Sequence, residues 1–218
     1  MRKIAAGVLV SLSVFLACFV WAPAAMRPVH AQQHLQLTLD AVDTVRDYYF
    51  EYATQNGWQI LNDLMRERAM AEVRSHGPFV ETASRLYTPR VLWVERMAVA
   101  DYYFQDFAEA EEEFYSSYYV NPTHGVLIKT FLIDSNPNNL RDSSLEFIVR
   151  DSAGNIYRDW DVLALPDQMA ERTILGVTLY DASYDLLVFG DFTEVDSIEL
   201  FIFVDGLMTR AEHRWLLQ

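Results

Sequence analysis

The hydrophobic period of this chain changes at Gly125. Before it, apolar residues recur at steps of three and four, the spacing that lines one face of a helix with about 3.6 residues per turn. After it, apolar and polar residues alternate at a step of two, the pattern of half-buried strands. Helical and strand periods gathered into separate halves point to an α+β fold.

In the helical half, Leu39, Val42, Val45, Tyr49 and Tyr52 share one face, and Asn56-Gly57 supplies a stop. Leu61, Met65, Ala69 and Val73 line a second helix, with Leu64 beside them and Arg66, Glu67, Glu72 and Arg74 facing away. Ser75-His76-Gly77-Pro78 breaks it, and Phe79 to Tyr87 reads as a short third helix. Residues 90–99, Arg-Val-Leu-Trp-Val-Glu-Arg-Met-Ala-Val, read as a strand or as the start of a helix. Tyr103, Phe107, Ala110, Phe114 and Tyr118 return to helical steps, and Glu109, Glu111, Glu112 and Glu113 are unfavourable in a strand, so 101–118 reads as helix. The segment 35–118 is therefore mainly helical, up to the break at Asn121-Pro122-Thr123-His124-Gly125. The apolar faces at 38–74 are too small to be stable alone and should cover the neighbouring domain or dimerise.

Seven strands follow, at Gly125–Asp134, Leu145–Arg150, Asn155–Leu163, Thr173–Tyr180, Leu186–Gly190, Ser197–Val204 and Thr209–Leu217. Asp134-Ser135-Asn136-Pro137-Asn138-Asn139, Asp151-Ser152-Ala153-Gly154-Asn155 and Asp205-Gly206 are turn signals between them. Short strands with turns at regular spacing imply an antiparallel β-sandwich over 120–218, beginning at 90 if 90–99 is a strand.

Three stretches carry a resemblance: Gly125 to Asp134, then Leu145 to Tyr157 with the spacing Arg150-Asp151-x-x-Gly154-x-x-Tyr157, then Leu187-Val188-Phe189-Gly190. In these the half after residue 90 resembles small secreted immunoglobulin-like sandwiches of the telokin-like type. The resemblance implies an export-competent binding or assembly module with an immunoglobulin-like fold, with 90–99 as its first strand, and it carries over no active-site residues.

The N-terminus reads as targeting. Arg2 and Lys3 precede an uncharged apolar run from Ile4 to Ala25, and Val29-His30-Ala31 offers small −3 and −1 residues for cleavage before Gln32. This assigns 1–31 to a signal peptide; an uncleaved membrane anchor is the other reading, since the run is long enough to span a bilayer. Either places the remainder outside the cytoplasm, in a periplasm or the extracellular medium. Lipidation at Cys18 is disfavoured, because Phe15-Leu16-Ala17 matches a lipobox poorly. Cleavage removes Arg2, Lys3 and Arg27, leaving 14 of 17 basic residues against all 31 acids, formally −17. It also removes Cys18, which excludes thiol catalysis, cysteine-ligated zinc and disulfides. Such charge opposes nucleic acid and anionic lipid surfaces as partners.

Local catalytic signatures are missing: no H-E-x-x-H, G-x-S-x-G, S-x-x-K or phosphate-binding glycine loop occurs. His213 shares a strand face with Ala211, Trp215 and Leu217 and reads as a packed histidine; His34, His76 and His124 stand apart from one another. No cofactor is expected. Asp181, Asp185, Asp191, Glu194 and Asp196 supply oxygen ligands suited to Ca²⁺, without a D-x-D-x-D-G loop. Asp159 and Asp161, flanking Trp160, are a candidate carboxylate pair for a carbohydrate or other small ligand. Aromatics crowd 102–119, and one helix face can bury only about half of them. Tyr102, Phe104, Tyr115 and Tyr119 are left as candidate partner-binding residues. The sequence thus points to a non-enzymatic exported module that binds another envelope protein or itself. A carbohydrate or small-ligand binder and a coat or filament subunit are the alternatives.

Overall fold

The structure, a computed structural model, describes residues 39, 42–116, 125–158, 160–164 and 169–217. Segment 1–31, Tyr119, Asp159, His34 and His124 lie outside the described residues, and nothing is described of the side chain of Asp161. Among the described residues there are four α-helices: α1 (Arg46–Asn56), α2 (Trp58–Arg68), α3 (Pro89–Tyr102) and α4 (Phe107–Ser116). Ten strands are described: β1 (Glu72–His76), β2 (Glu81–Tyr87), β3 (Gly125–Asp134), β4 (Leu145–Asp151), β5 (Ile156–Tyr157), β6 (Trp160–Ala164), β7 (Ala170–Ile174), β8 (Val177–Phe189), β9 (Ser197–Val204) and β10 (Arg210–Leu216).

They form two antiparallel sheets, one in the order β1-β10-β9-β4-β5 and the other β2-β3-β8-β6, with β7 also paired to β8. The protein is thus α+β with sandwich-like packing. Register explains the core. Val126, Ile128 and Leu132 of β3 stand beside Val188, Leu186 and Ala182 of β8, and all are buried. From the other sheet, Phe147 and Val149 of β4 align with Ile202 and Leu200 of β9. These paired core positions fall on alternate residues of their strands, so the step-of-two pattern marks the inner face of the sandwich.

Several boundaries differ from the sequence expectation. α2 ends at Arg68, and the chain turns outward as strand: Ala71 donates to the Ser84 carbonyl and Leu86 to that of Ala69, both at 2.9 Å. The expected helix at 79–87 is β2, whose buried positions include Thr82 and Ser84. Polar residues on the inner face erase the apolar alternation that reveals a strand. Residues 90–99 belong to α3, not to a first sandwich strand: the Thr88 side chain accepts from Val91 N–H and Pro89 opens the helix, a favoured start. Among the described residues, the span expected to hold seven strands holds eight, β3 to β10, and β1 and β2 add two from before it. The expected 155–163 strand divides into β5 and β6, which belong to different sheets. The expected 173–180 strand contains a hairpin turn at Leu175-Gly176, and β8 runs unbroken through 186–189.

The hairpin motif of the resemblance has a local physical basis. Buried Asp151 accepts from the Asn155 backbone N–H at 2.9 Å, the Asn155 amide at 2.8 Å and the Tyr157 hydroxyl at 2.8 Å. Gly154 supplies φ 89°, which a side chain would oppose. Tyr157 packs on Phe192 with centroids 4.5 Å apart, and Gly190 admits the ring because a Cβ there would lie 2.2 Å from it. Burial would raise the Asp151 carboxyl, but the bonds from Asn155 and Tyr157 outweigh it and hold it below its ordinary range.

The helices pack around an aromatic cluster in which Trp93 lies 5.8 Å from Tyr49, 5.7 Å from Phe50 and 5.7 Å from Trp58. Phe107 of α4 closes on Trp58 at 5.6 Å. They meet the sandwich at the end marked by Tyr87, Gly125 and Trp215, where the Trp215 indole donates to Ala69. Among the described residues, no helix is long and apolar enough to cross a membrane.

Candidate functional site

The connection between α3 and α4 displays the most exposed aromatics of the described helical part. α3 ends in a two-bond turn: Gln105 N–H donates to the Ala100 carbonyl at 2.9 Å, and Phe104 N–H to that of Asp101 at 3.2 Å. This is the helix-ending geometry that normally carries glycine in the left-handed region. Here that position is Phe104, at φ 56° and 97% exposed. A side chain at such a φ costs about 1 kcal/mol relative to a right-handed one. Tyr102, 73% exposed, meets the Tyr103 ring edge-on with centroids 5.0 Å apart. Asp106 then opens α4 by accepting from Ala108 and Glu109 N–H at 2.8 and 3.1 Å.

Three contacts hold the knuckle to the core. Arg96 donates to Gln105 at 2.9 Å and pairs with Glu113, and Trp93 donates to Glu111 at 3.2 Å. Asp101 and Asp106 flank the aromatics in sequence, and Glu109 and Glu112 follow on α4; all four are exposed. The result is an exposed aromatic projection in an acidic stretch of the chain. Chemically it can offer ring area and accept hydrogen bonds.

Tyr102 and Phe104 both stand exposed on the knuckle, and with them Tyr103, which the helical spacing assigned to the buried face and which is 65% exposed. The structure sets Tyr115 apart. That residue stands at the far end of α4, about 13 Å along the helix at 1.5 Å per residue. Its hydroxyl donates to Asp43 at 2.8 Å, and burial together with that carboxylate pushes it up to about 12. Tyr115 therefore ties α4 to the turn before α1, beside a shallow depression of about 520 Å³ lined by Asp43, Arg46, Asp47 and Phe50. The 101–118 periodicity hid the knuckle, because Phe104 occupies the place where a glycine would have signalled a break.

The other acidic candidates are dispersed. Asp161 lies in β6 opposite Leu187. Asp181 and Asp185 pair with Arg172 and Lys129 on β8, while Asp191 accepts from Thr193 in the following loop. Among the described residues, no three His, Cys, Asp or Glu side chains are placed to hold a metal ion.

The remaining polar cluster is buried between the sheets. His213 of β10 is 1% exposed, as its strand face predicts. Its Nε2 is 2.8 Å from Thr82 Oγ1 and its Nδ1 2.6 Å from Ser84 Oγ. Ser84 continues to Thr130 Oγ1 at 2.9 Å. On the other side the Thr82 backbone N–H donates to His76 Nδ1 at 3.2 Å. A serine beside an imidazole has the elements of a nucleophile, but both groups are buried in the core, where no substrate reaches them.

The chain matches no family model, no curated protein and no solved structure.

Proposed function

We propose that this protein is an exported, non-enzymatic envelope protein that binds another protein through the α3–α4 knuckle. The observation that carries this reading is Phe104: a fully displayed ring held at a backbone angle that folding alone would give to glycine. Strain kept at an exposed position is a mark of function, and aromatic side chains anchor interfaces at little entropic expense. The carboxylates at 101, 106, 109 and 112 suit a partner whose apolar pocket is rimmed by Lys or Arg. Export is supported by the basic start and uncharged apolar run of residues 2–25, and the periplasm or extracellular medium is the compartment. In this reading the sandwich is of the immunoglobulin-like kind, supported by the Asp151–Gly154–Tyr157 hairpin and the antiparallel sheets.

The test is affinity capture of the tagged full-length chain from its native cells after mild cross-linking, beside Phe104→Asp. One reproducible envelope partner, lost in the variant while the variant's circular dichroism is unchanged, supports the proposal. A clean monomer without a partner, or a partner retained by Phe104→Asp, defeats it.

A further inference from the structure

We propose that the hydrogen-bonded chain His76–Thr82–His213–Ser84–Thr130 is an acid-released clasp, which holds the β1–β2 corner and β3 onto β10 and lets them part when His213 takes up a proton. The chain is the polar bridge between the sheets: His213 belongs to β10, Thr82 and Ser84 to β2, and Thr130 to β3. A neutral imidazole serves it well, one nitrogen donating to a hydroxyl and the other accepting from one.

Among the described residues, none supplies a counter-charge to an imidazolium there. From β1, the residue opposite His213 is Val73, while Glu72 and Arg74 pair on the outer face. From β9 the neighbour is Leu200. From β2, Glu81 is exposed and Arg85 turns to the Met70 sulfur. From β3, Lys129 pairs outward with Asp185. The single titratable group near His213 among these elements is His76, whose charge would be of the same sign. Burial, and then His76, lower His213 from its ordinary value to about 4.

The sign follows from the depressed value. The unfolded chain takes up a proton near pH 6.5 and the folded chain only near 4, so the contribution is whole above pH 6.5 and is lost as pH falls through this window. Between pH 7.5 and 5.0 these values give an unfolding constant that rises on the order of 30-fold through this one group.

The experiment is urea unfolding of the full chain and of His213→Gln at both pH values, with hydrogen exchange of the wild type corrected for intrinsic rates. The expected result is a rise in the wild-type unfolding constant about 30-fold larger than in the variant. Protection should be lost first in β1, β2 and β10, ahead of β4 and β9. Should His213→Gln fail to fold, titration of the His213 ring by NMR in the wild type decides the same question. A ring that titrates near 6.5, equal pH slopes in the two proteins, or exchange that rises evenly through both sheets would each overturn the clasp.

Discussion

The indole N–H of Trp215 donates to the carbonyl of Ala69 at 2.8 Å, joining the last strand to the residue that ends α2. Both residues are buried, so the bond is screened from water and fastens the helical part to the sandwich. Trp215→Phe keeps ring volume in part and removes the donor. The carbonyl keeps its bond from Leu86 N–H, so losing the indole donor should cost about 0.5–1.5 kcal/mol beyond the lost ring volume, read as a lower urea midpoint with an unchanged slope.

Phe104→Gly separates folding from binding. Glycine suits φ 56°, so the variant should be more stable by about 1 kcal/mol in thermal or chemical unfolding. Partner capture should fall at the same time. A loss of stability would show that the ring packs on its own chain.

Leu175 offers a parallel case without a proposed partner. It sits at φ 51° beside Gly176 at φ 80° in the two-residue turn between β7 and β8, where Asn-Gly is the favoured pair. Leu175→Asn should raise stability by roughly 0.5–1 kcal/mol. Differential scanning calorimetry would register it as a higher Tm.

Asp151→Asn should weaken the β4–β5 turn, because an amide cannot accept all three bonds that the carboxylate receives. A loss of about 1–3 kcal/mol at pH 7 is expected. The carboxyl is depressed in the folded state, so its contribution is present above the unfolded carboxylate range and is lost as pH falls through the folded value. The gap between wild type and variant should therefore close in acid, as followed by urea titrations from pH 7 downward.

Much of the sandwich was legible because its core obeys a two-residue step: the sequence bounds of β3 and β9 coincide with the observed strands. What escaped has physical causes. Phe104 and Leu175 are the two non-glycine residues at positive φ among those described, and each conceals a turn behind an apolar side chain. β2 escaped because Thr82 and Ser84 face inward to serve His213, so the polar bridge also masked the strand. Of the candidate site, Tyr102 and Phe104 were legible as surplus aromatics, since one helix face could not bury them all. The fastening of Tyr115 to Asp43 is a long-range contact that no local spacing encodes.

The order of the strands has a temporal consequence. β1 is paired along its length with β10, Glu72 standing opposite Arg214, so this sheet waits for two strands far apart in sequence to meet. β10 also covers one side of β9. Until β10 is in place, the helices and the β3–β8 pairing can form, but the sheet that holds His213 cannot be sealed. Closure is dominated by contacts distant in sequence and is correspondingly slow. Until then the chain stays open to whatever machinery handles unfolded polypeptides.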